Sequence, residues 1–250
     1  MTDTRDAEET IAGVLARAYG AEAATERTGA VRDAMRFEEL ARVYSVIREN
    51  GCRSAVEIGM AGGTSSLAIG QALADNGGGP LVSIDPFQHE TYGGRGLAAL
   101  RAADLATAHR LIEEPDYVGL PRLLAEGFRC DFVLVDGWHS FDHTFANFFY
   151  ADLLLRDRGI LMVHDTAMPC VFQACRFLEV LKPYRLVSPP VTRQLDSVVA
   201  RGLRRVRVAL QGAEAVRLAK ARREQWFALG AYQKLASRQV PQNHAVVTGF

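Results

Sequence analysis

The stretch Ala55-Val56-Glu57-Ile58-Gly59-Met60-Ala61-Gly62-Gly63-Thr64-Ser65 decides the fold, because its first four residues predict a buried strand and its glycines predict a tight turn. Gly59 can adopt a backbone conformation that other residues avoid, and Gly62 and Gly63 let a ligand approach the main chain. Thr64 or Ser65 can cap the helix that follows. A strand, a glycine turn and a helix in this order predict a nucleotide-binding turn.

Two carboxylates flank this turn and indicate the kind of ligand. Glu57 stands two positions before Gly59. A phosphate on a helix N-terminus gains nothing from that carboxylate, whereas a cationic amino group does. Asp85 ends the next apolar run, where an acidic residue can accept hydrogen bonds from both ribose hydroxyls. The pair predicts a ligand with an amine at one end and a nucleoside at the other.

Strands and helices alternate from residue 54 onward. The predicted strands are 55–58, 81–85, 110–113, 131–136 and 159–164, and the predicted helices are 64–75, 95–108, 120–126, 141–156 and 169–181. This alternation predicts an α/β fold, a Rossmann-like doubly wound and mostly parallel sheet, with added N-terminal helices and a long C-terminal helix. We expect an N-terminal helical cap over 1–50, a catalytic domain over 51–200 and a basic helical extension over 201–250.

Two further elements carry specific expectations. A last strand is predicted around 197–201, followed by a helical segment that continues to about residue 237. Within helix 141–156, the large apolar side chains are spaced for one helical face and are expected to lie in the core. These side chains are Phe141, Phe145, Phe148, Phe149 and Leu153.

Composition excludes some classes of protein. The 250 residues carry a formal net charge of zero, so no overall field draws the chain to nucleic acid or to a membrane surface. No apolar stretch is long enough to span a bilayer, and we expect a cytoplasmic protein.

Basic residues are concentrated between 201 and 223. Eight of them stand there against Glu214 alone: Arg201, Arg204, Arg205, Arg207, Arg217, Lys220, Arg222 and Arg223. They are compatible with an RNA-binding helix, a collar for an anionic substrate, or a solvated face that pairs with the acidic N-terminal region of the same or another subunit. The last interpretation is favoured because the whole chain is neutral, so nucleic acid is not the expected partner.

The ends of two later predicted strands carry Asp and His side chains that could transfer protons or bind a metal. The segments are Asp136-Gly137-Trp138-His139-Ser140 and His164-Asp165-Thr166. With the glycine turn and Asp85, they make residues 50–200 resemble the class I S-adenosylmethionine-dependent methyltransferases. The resemblance is to the small-molecule type, around methyltransferase family 24, the catechol O-methyltransferase-like enzymes and the macrocin and cephalosporin-cluster families. A dinucleotide-binding dehydrogenase is the alternative, but Ala61 occupies the second glycine position of Gly-x-Gly-x-x-Gly.

The resemblance implies S-adenosylmethionine as cofactor. The residues expected to bind it are Glu57, Gly59, Met60, Gly62, Gly63, Thr64, Ser65, Asp85, Pro86, Asp116, Asp136 and His139. Asp116 corresponds in position to the third motif of the family, which contacts adenine, although it could equally belong to a solvated acidic turn.

Asp136, His139, His164 and Asp165 are the catalytic candidates. His139 is expected to act as the general base, with Asp136 fixing its tautomer. The alternative is that His139 only caps the following helix. His164 ends a buried strand, so its ring must have a polar partner.

A divalent metal is a further possibility. Asp136 and Asp165 resemble positions that bind magnesium or calcium in the metal-dependent O-methyltransferases, and oxygen ligands suit such ions. However, Thr166 stands where the catechol type has asparagine, and His164 stands where the cephalosporin-cluster type has an acid. Magnesium, a transition metal and a metal-free site with a histidine base all remain open.

These features predict methyl transfer to an oxygen of a small biosynthetic metabolite, with a nitrogen as the alternative acceptor. A protein that holds the cofactor without transferring methyl and an RNA methyltransferase using the basic C-terminal helix are the competing functions. We expect a homodimer, since in the resembling families the N-terminal helices cover the cofactor or form a dimer contact. Plain packing of these helices against the sheet is the other possibility.

Overall fold

The computed structural model describes residues 4–21, 34–181, 183–187 and 229–237 and the single positions 206 and 210. Its helices are α1 (Thr4–Tyr19), α2 (Phe37–Glu49), α3 (Thr64–Asp75), α4 (Arg95–Ala102), α5 (Asp116–Ala125), α6 (Phe141–Leu154) and α7 (Pro169–Leu181). A short 3-10 turn spans Ala106–Ala108. The strands are β1 (Ala55–Ile58), β2 (Leu81–Ile84), β3 (His109–Ile112), β4 (Cys130–Val135), β5 (Leu155–His164), β6 (Tyr184–Leu186) and β7 (Leu229–Lys234).

These strands form one sheet in the order β3-β2-β1-β4-β5-β7-β6. The first five strands are parallel, and β7 runs antiparallel between β5 and β6. The predicted Rossmann-like, doubly wound and mostly parallel sheet is therefore confirmed. The strand order reverses between β1 and β4, so their carboxyl ends flank a crevice in which ligands of such sheets bind.

The central strands are buried on both faces. In β1 and β4, Ala55, Phe132 and Leu134 pack in the same cluster as α1 to α4. Val56 and Val133 pack on the other face, in the cluster that includes side chains of α5, α6 and α7. Because side chains alternate along a strand, Glu57 falls on the same face as Ala55, beneath the N-terminal helices.

Several boundaries differ from the prediction by a few residues. Helix α4 ends at Ala102, and β5 begins at Leu155 instead of residue 159. Helix α5 begins at Asp116, four residues earlier than predicted, and Pro121 lies inside it.

The predicted helix through residue 237 is wrong at its end. Residues Leu229–Lys234 form β7, whose backbone pairs with Ile160–His164 of β5. The buried Lys234 ammonium donates to the carbonyls of Asp152 (2.6 Å) and Leu155 (3.0 Å), which fixes the end of this strand. Strand β6 was also not predicted. The expected strand at 197–201 and nearly all of the basic stretch lie outside the described residues.

The expectation for the apolar face of α6 is also wrong. Phe148 is buried, but Phe141, Phe145, Phe149 and Leu153 are exposed. The face that meets the sheet includes polar residues, and there Tyr184 Oη donates to Asp152 Oδ1 at 3.0 Å. Buried hydrogen bonds made these polar positions compatible with the core, which periodicity alone does not reveal. Among the described residues, no helix is long and apolar enough to cross a membrane.

Candidate active site

A cavity of about 670 Å³ opens at the carboxyl ends of β1, β2, β4 and β5. Most of the residues predicted from the sequence line it: Gly59, Met60, Thr64, Ser65, Asp85, Pro86, Asp116, Asp136, His139, His164 and Asp165. Glu57, Gly62 and Gly63 are not among the lining residues. The rim is aromatic, with Phe87, Tyr117 and Trp138 exposed at the opening.

The glycine turn is held tightly between its neighbours. Gly59 has φ +89°, and a Cβ at this position would lie 2.2 Å from the Asp136 carbonyl oxygen. Gly63 has φ +92°, and its Cβ would lie 2.6 Å from Gly96 Cα. Ala61, which replaces the second glycine of the dinucleotide motif, itself has φ +45°. The turn therefore requires glycine at 59 and 63 for space as well as for conformation.

Asp85 organises the same turn from β2. Its Oδ2 atom accepts hydrogen bonds from the backbone N–H groups of Met60 (2.9 Å) and Ala61 (2.7 Å), and its Oδ1 atom accepts one from Phe87 (2.8 Å). A carboxylate can accept about four hydrogen bonds, so it retains capacity for a ligand in the cavity that it lines.

Glu57 lies behind the cavity wall. The hydroxyls of Ser66 and Ser83 donate to its Oε2 atom, the latter at 2.7 Å, and Oε1 has no partner among the described residues. Complete burial raises the pKa of this carboxyl to about 7. Glu57 thus shapes the base of the site without facing the cavity, and Asp136 is the carboxylate of a neighbouring strand end that does face it.

His164 bridges two carboxylates on different elements. Its Nδ1 atom lies 2.8 Å from Asp136 Oδ1, and its Nε2 atom lies 3.2 Å from Glu39 Oε2 on α2. Burial by itself would lower the pKa of His164, but the two carboxylates outweigh it and raise the pKa well above the usual value. Burial by itself would raise the pKa values of Asp136 and Glu39, but both are lowered, Asp136 by His164 and His139 and Glu39 by His164 and Arg36. His164 is therefore a charged donor in this site.

His139 lies beside His164 and Asp136 but makes longer contacts. Its Nε2 atom lies 3.4 Å from Asp136 Oδ1 and 3.5 Å from Asp165 Oδ2, without a well-formed hydrogen bond to any described residue. The Asp136 carboxylate raises the pKa of His139 against an opposing contribution from burial. The N-cap of α6 is Ser140, so His139 does not cap the helix.

Asp165 and Asp116 occupy special backbone positions. Asp165 has φ +51°, a left-handed conformation that non-glycine residues adopt at some energetic cost and that is frequent at functional sites. Asp116 is the first residue of α5, where its Oδ1 accepts from the N–H of Tyr117 at 2.8 Å. Its Oδ2 lies 3.2 Å from Nδ1 of His143, a cavity residue that was not among the predicted site residues.

The N-terminal segment contacts the site. The sequence had left open whether its helices cover the cofactor or only pack against the sheet. Tyr19 Oη donates to the carbonyl of Gly62 at 2.6 Å, and Met35 lines the cavity. Glu39 was missed altogether. Its only sequence signal is its place in the first turn of α2, where its carboxylate accepts the N–H of Arg36 at 2.9 Å, a common helix-capping arrangement.

One group of side chains has metal-ligand spacing. Single donor atoms of Asp136, His139 and His164 lie within 4.8 Å of one another, and Asp165 is not part of this group. Two imidazoles do not suit magnesium or calcium, and a buried threonine, Thr166, follows Asp165. A transition metal requires a neutral imidazole, whereas both ring nitrogens of His164 face carboxylates. The arrangement therefore does not fit a metal ion.

The strand order, the glycine turn and the cavity at the switch between β1 and β4 define a doubly wound α/β protein with a nucleotide-type site. Residues 56–166 match a family model described as a methyltransferase domain. These residues therefore form a methyltransferase domain, and the match supports an S-adenosylmethionine-dependent enzyme.

Solved structures share this fold. An O-methyltransferase from Bacillus cereus in complex with SAH is 16% identical, with a TM-score of 0.57 and coverage of 75% of this chain and 84% of the other. The O-methyltransferase TomG from Streptomyces achromogenes, in complex with SAM, is 21% identical (TM-score 0.56, coverage 74% and 83%). The SAH-bound methyltransferase PaMTH1 from Podospora anserina is 17% identical (TM-score 0.54, coverage 74% and 84%). No curated protein matches the chain.

Proposed function

We propose that the cavity binds S-adenosylmethionine and that the enzyme transfers its methyl group to a hydroxyl oxygen of a small biosynthetic metabolite, with His139 as general base. The observation that carries this proposal is that the His139 ring lines the cavity while its buried Nε2 atom lies between the carboxylates of Asp136 and Asp165. The two carboxylates favour a proton on Nε2, so the other ring nitrogen of His139, Nδ1, is the one that can take the proton of an acceptor.

The cofactor residues follow from the lining of the cavity. Asp85 is suited to the ribose hydroxyls, and Pro86 and Asp116 to the adenine ring and its amino group. The aromatic rim supports this orientation of the purine. We assign the ammonium group of the cofactor to Asp136 and not to Glu57, since only Asp136 lines the cavity.

The two histidines have separate tasks. Each ring nitrogen of His164 lies within hydrogen-bond distance of a carboxylate, which raises the pKa of His164 and favours its charged form, so we assign it to holding Asp136 in position and not to accepting a proton. Asp136 and Asp165 lie on either side of His139 and stabilise its charged form after proton transfer. In the reaction the acceptor oxygen bonds to the methyl carbon as the carbon–sulfur bond breaks, the sulfonium becomes a neutral thioether, and the acceptor proton moves to His139.

Oxygen is favoured as the acceptor atom because a hydroxyl needs a base of this kind, whereas a neutral amine is already nucleophilic. The cavity volume lies within the range of small-molecule sites and is shared by cofactor and acceptor, which limits the acceptor to a small molecule. No step is routed through a metal ion, because the donor set does not fit one.

Calorimetric titration with S-adenosylmethionine and with NAD, each with and without EDTA, tests the cofactor. We expect binding of S-adenosylmethionine alone, unchanged by EDTA. Binding of NAD alone would contradict the proposal.

Transfer is tested by following S-adenosylhomocysteine release with a panel of phenols, aliphatic alcohols and amines. Turnover with a hydroxyl acceptor that survives EDTA and is lost in His139→Gln, with cofactor binding retained, supports the base. Turnover confined to amines, or turnover that requires an added metal, would overturn the assignment of oxygen and of His139.

A further inference from the structure

His143 joins the first turns of two neighbouring helices at the cavity wall. It is the third residue of α6, and its Nδ1 atom lies 3.2 Å from Oδ2 of Asp116, the first residue of α5. Both side chains line the cavity. Because an ionised carboxylate only accepts hydrogen bonds, Nδ1 of His143 carries the proton and donates to Asp116.

The carboxylate of Asp116 is held at both of its oxygen atoms. Oδ1 accepts from the backbone N–H of Tyr117 at 2.8 Å, and Oδ2 accepts from His143. The torsion that turns an aspartate carboxylate has a broad energy profile, so a bond at one oxygen alone leaves the group free to rotate. Bonds from two different helices fix its plane. Each oxygen still has a second lone pair with which it can accept from a ligand.

The surroundings of this pair suit a flat heterocycle. The Tyr117 ring is 60% exposed and meets the His143 ring edge-on, with centroids 6.2 Å apart and an interplanar angle of 68°. Asp116 follows β3, which pairs with β2, and β2 leads into Asp85, the residue assigned to the ribose. A cofactor whose ribose meets Asp85 can therefore direct its purine toward Asp116, away from the histidine at the end of β5.

We propose that His143 is a positioning residue that holds the Asp116 carboxylate toward the purine amino group and so makes the site select a 6-aminopurine over a 6-oxopurine. An amino group donates to the fixed carboxylate, whereas a 6-oxo group presents an oxygen that the carboxylate repels. A carboxylate free to rotate can instead accept from the N1–H of the 6-oxopurine, so the discrimination depends on the bond from His143. This inference rests on the proposed function, because it takes the cavity as the cofactor site.

Calorimetric titration with S-adenosylhomocysteine and with S-inosylhomocysteine tests the proposal, because these ligands differ only at position 6 and N1 of the purine. We expect the wild type to bind S-adenosylhomocysteine at least about tenfold more tightly, the effect of one hydrogen bond to a charged group. His143→Ala should reduce this ratio by about three- to tenfold. His143→Asn, whose amide offers a donor near the position of Nδ1, should retain the ratio.

Two further variants separate this role from a structural one. His89→Ala is the matched control, since His89 Nδ1 lies 2.7 Å from Glu113 Oε2 in the same kind of contact, outside the cavity lining. It should leave both affinities unchanged. Asp116→Asn, whose amide can donate to a 6-oxo group, should shift the preference toward S-inosylhomocysteine.

The ratio of the two affinities decides the outcome, because a loss of folding stability alone would weaken both ligands by the same factor. Equal affinities in the wild type, an unchanged ratio in His143→Ala, or an equal loss of the ratio in His89→Ala would overturn the role of His143 and leave the cofactor assignment intact. A wild type that binds neither ligand would overturn the proposed cofactor, and this inference with it.

Discussion

The Nε2 atom of His164 lies 3.2 Å from Oε2 of Glu39, a residue 125 positions earlier in the chain. This contact joins α2 to the carboxyl end of β5, and the opposite ring nitrogen of His164 lies 2.8 Å from Asp136. Because each ring nitrogen of His164 has its own carboxylate partner, the charged form of His164 is favoured and fixes the orientation of Asp136. His139 has carboxylates beside one ring nitrogen only, at the longer distances of 3.4 and 3.5 Å, and is the base proposed above. A helix outside the nucleotide-binding core thereby contributes a carboxylate to the candidate site.

Glu39→Gln should lower kcat/KM by about 10- to 100-fold, the usual cost of removing a group that orients a functional side chain. Without the Glu39 carboxylate, the pKa of His164 falls and Asp136 loses a fixed partner. Steady-state kinetics across a pH series measures the effect, because a purely structural role would not move the pH profile.

Glu38→Gln is the matched control for this substitution. Glu38 is the exposed neighbour of Glu39 on the same helical turn. Its replacement should leave both rate and pH profile unchanged. Equal effects of the two substitutions would show that α2 stability, and not the contact with His164, is responsible.

His139→Gln should lower kcat by about 10²- to 10⁴-fold while preserving cofactor affinity, as expected for loss of a general base. Because Asp136 raises the pKa of His139, the neutral base forms only as pH rises above the usual histidine range. The wild-type rate should therefore increase with pH through a midpoint above about 6.5. The rate of the His139→Gln variant should not show this increase with pH.

His89→Gln provides the comparison for His139. His89 is exposed, and its Nδ1 atom lies 2.7 Å from Glu113 Oε2, outside the cavity lining. We expect little change in kcat or in the pH profile. A pH limb that persists in His139→Gln would assign the titration to another group.

Glu57→Gln should make folding stability less dependent on pH. The pKa of the buried Glu57 is about 7 in the folded protein, above its ordinary value of 4.5. A raised carboxyl pKa favours the folded state below pH 4.5, and this contribution is lost as pH rises to 7, for a total of about 3 kcal/mol. Urea unfolding at pH 5 and pH 8 should show a smaller difference in unfolding free energy for Glu57→Gln than for the wild type. An identical difference would mean that Glu57 is ionised throughout.

Gly59→Ala should destabilise the protein by several kcal/mol and abolish cofactor binding, because the added Cβ would lie 2.2 Å from the Asp136 carbonyl. Gly78→Ala controls for backbone conformation. Gly78 also has a positive φ, +82°, but a Cβ there meets no atom within 4 Å, so only about 1–2 kcal/mol of conformational cost is expected. Thermal unfolding and calorimetry of both variants separate steric clash from backbone strain. Equal losses would refute the clash.

The sequence by itself determined the central architecture, since apolar runs, glycine turns and helix patterns between residues 55 and 181 each act locally. The turn that begins at Gly59 and the acidic end of β2 at Asp85 could be recognised because a few adjacent residues define them. The same local patterns predicted that Asp136, His139, His164 and Asp165 meet, because carboxyl ends of parallel strands share one edge of a sheet.

Only the tertiary structure decided which partner each of these groups has. The apolar spacing in α6 predicted the wrong buried face. Asp152 lies on the face that is actually buried, where Tyr184 donates a hydrogen bond to it. Strand β7 was read as helix, because its pairing with β5 comes from a segment distant in sequence. Glu39 could not be identified, because its contact with His164 is set by packing of α2 against the sheet domain. Each of these depends on contacts between distant residues, which a local pattern does not encode.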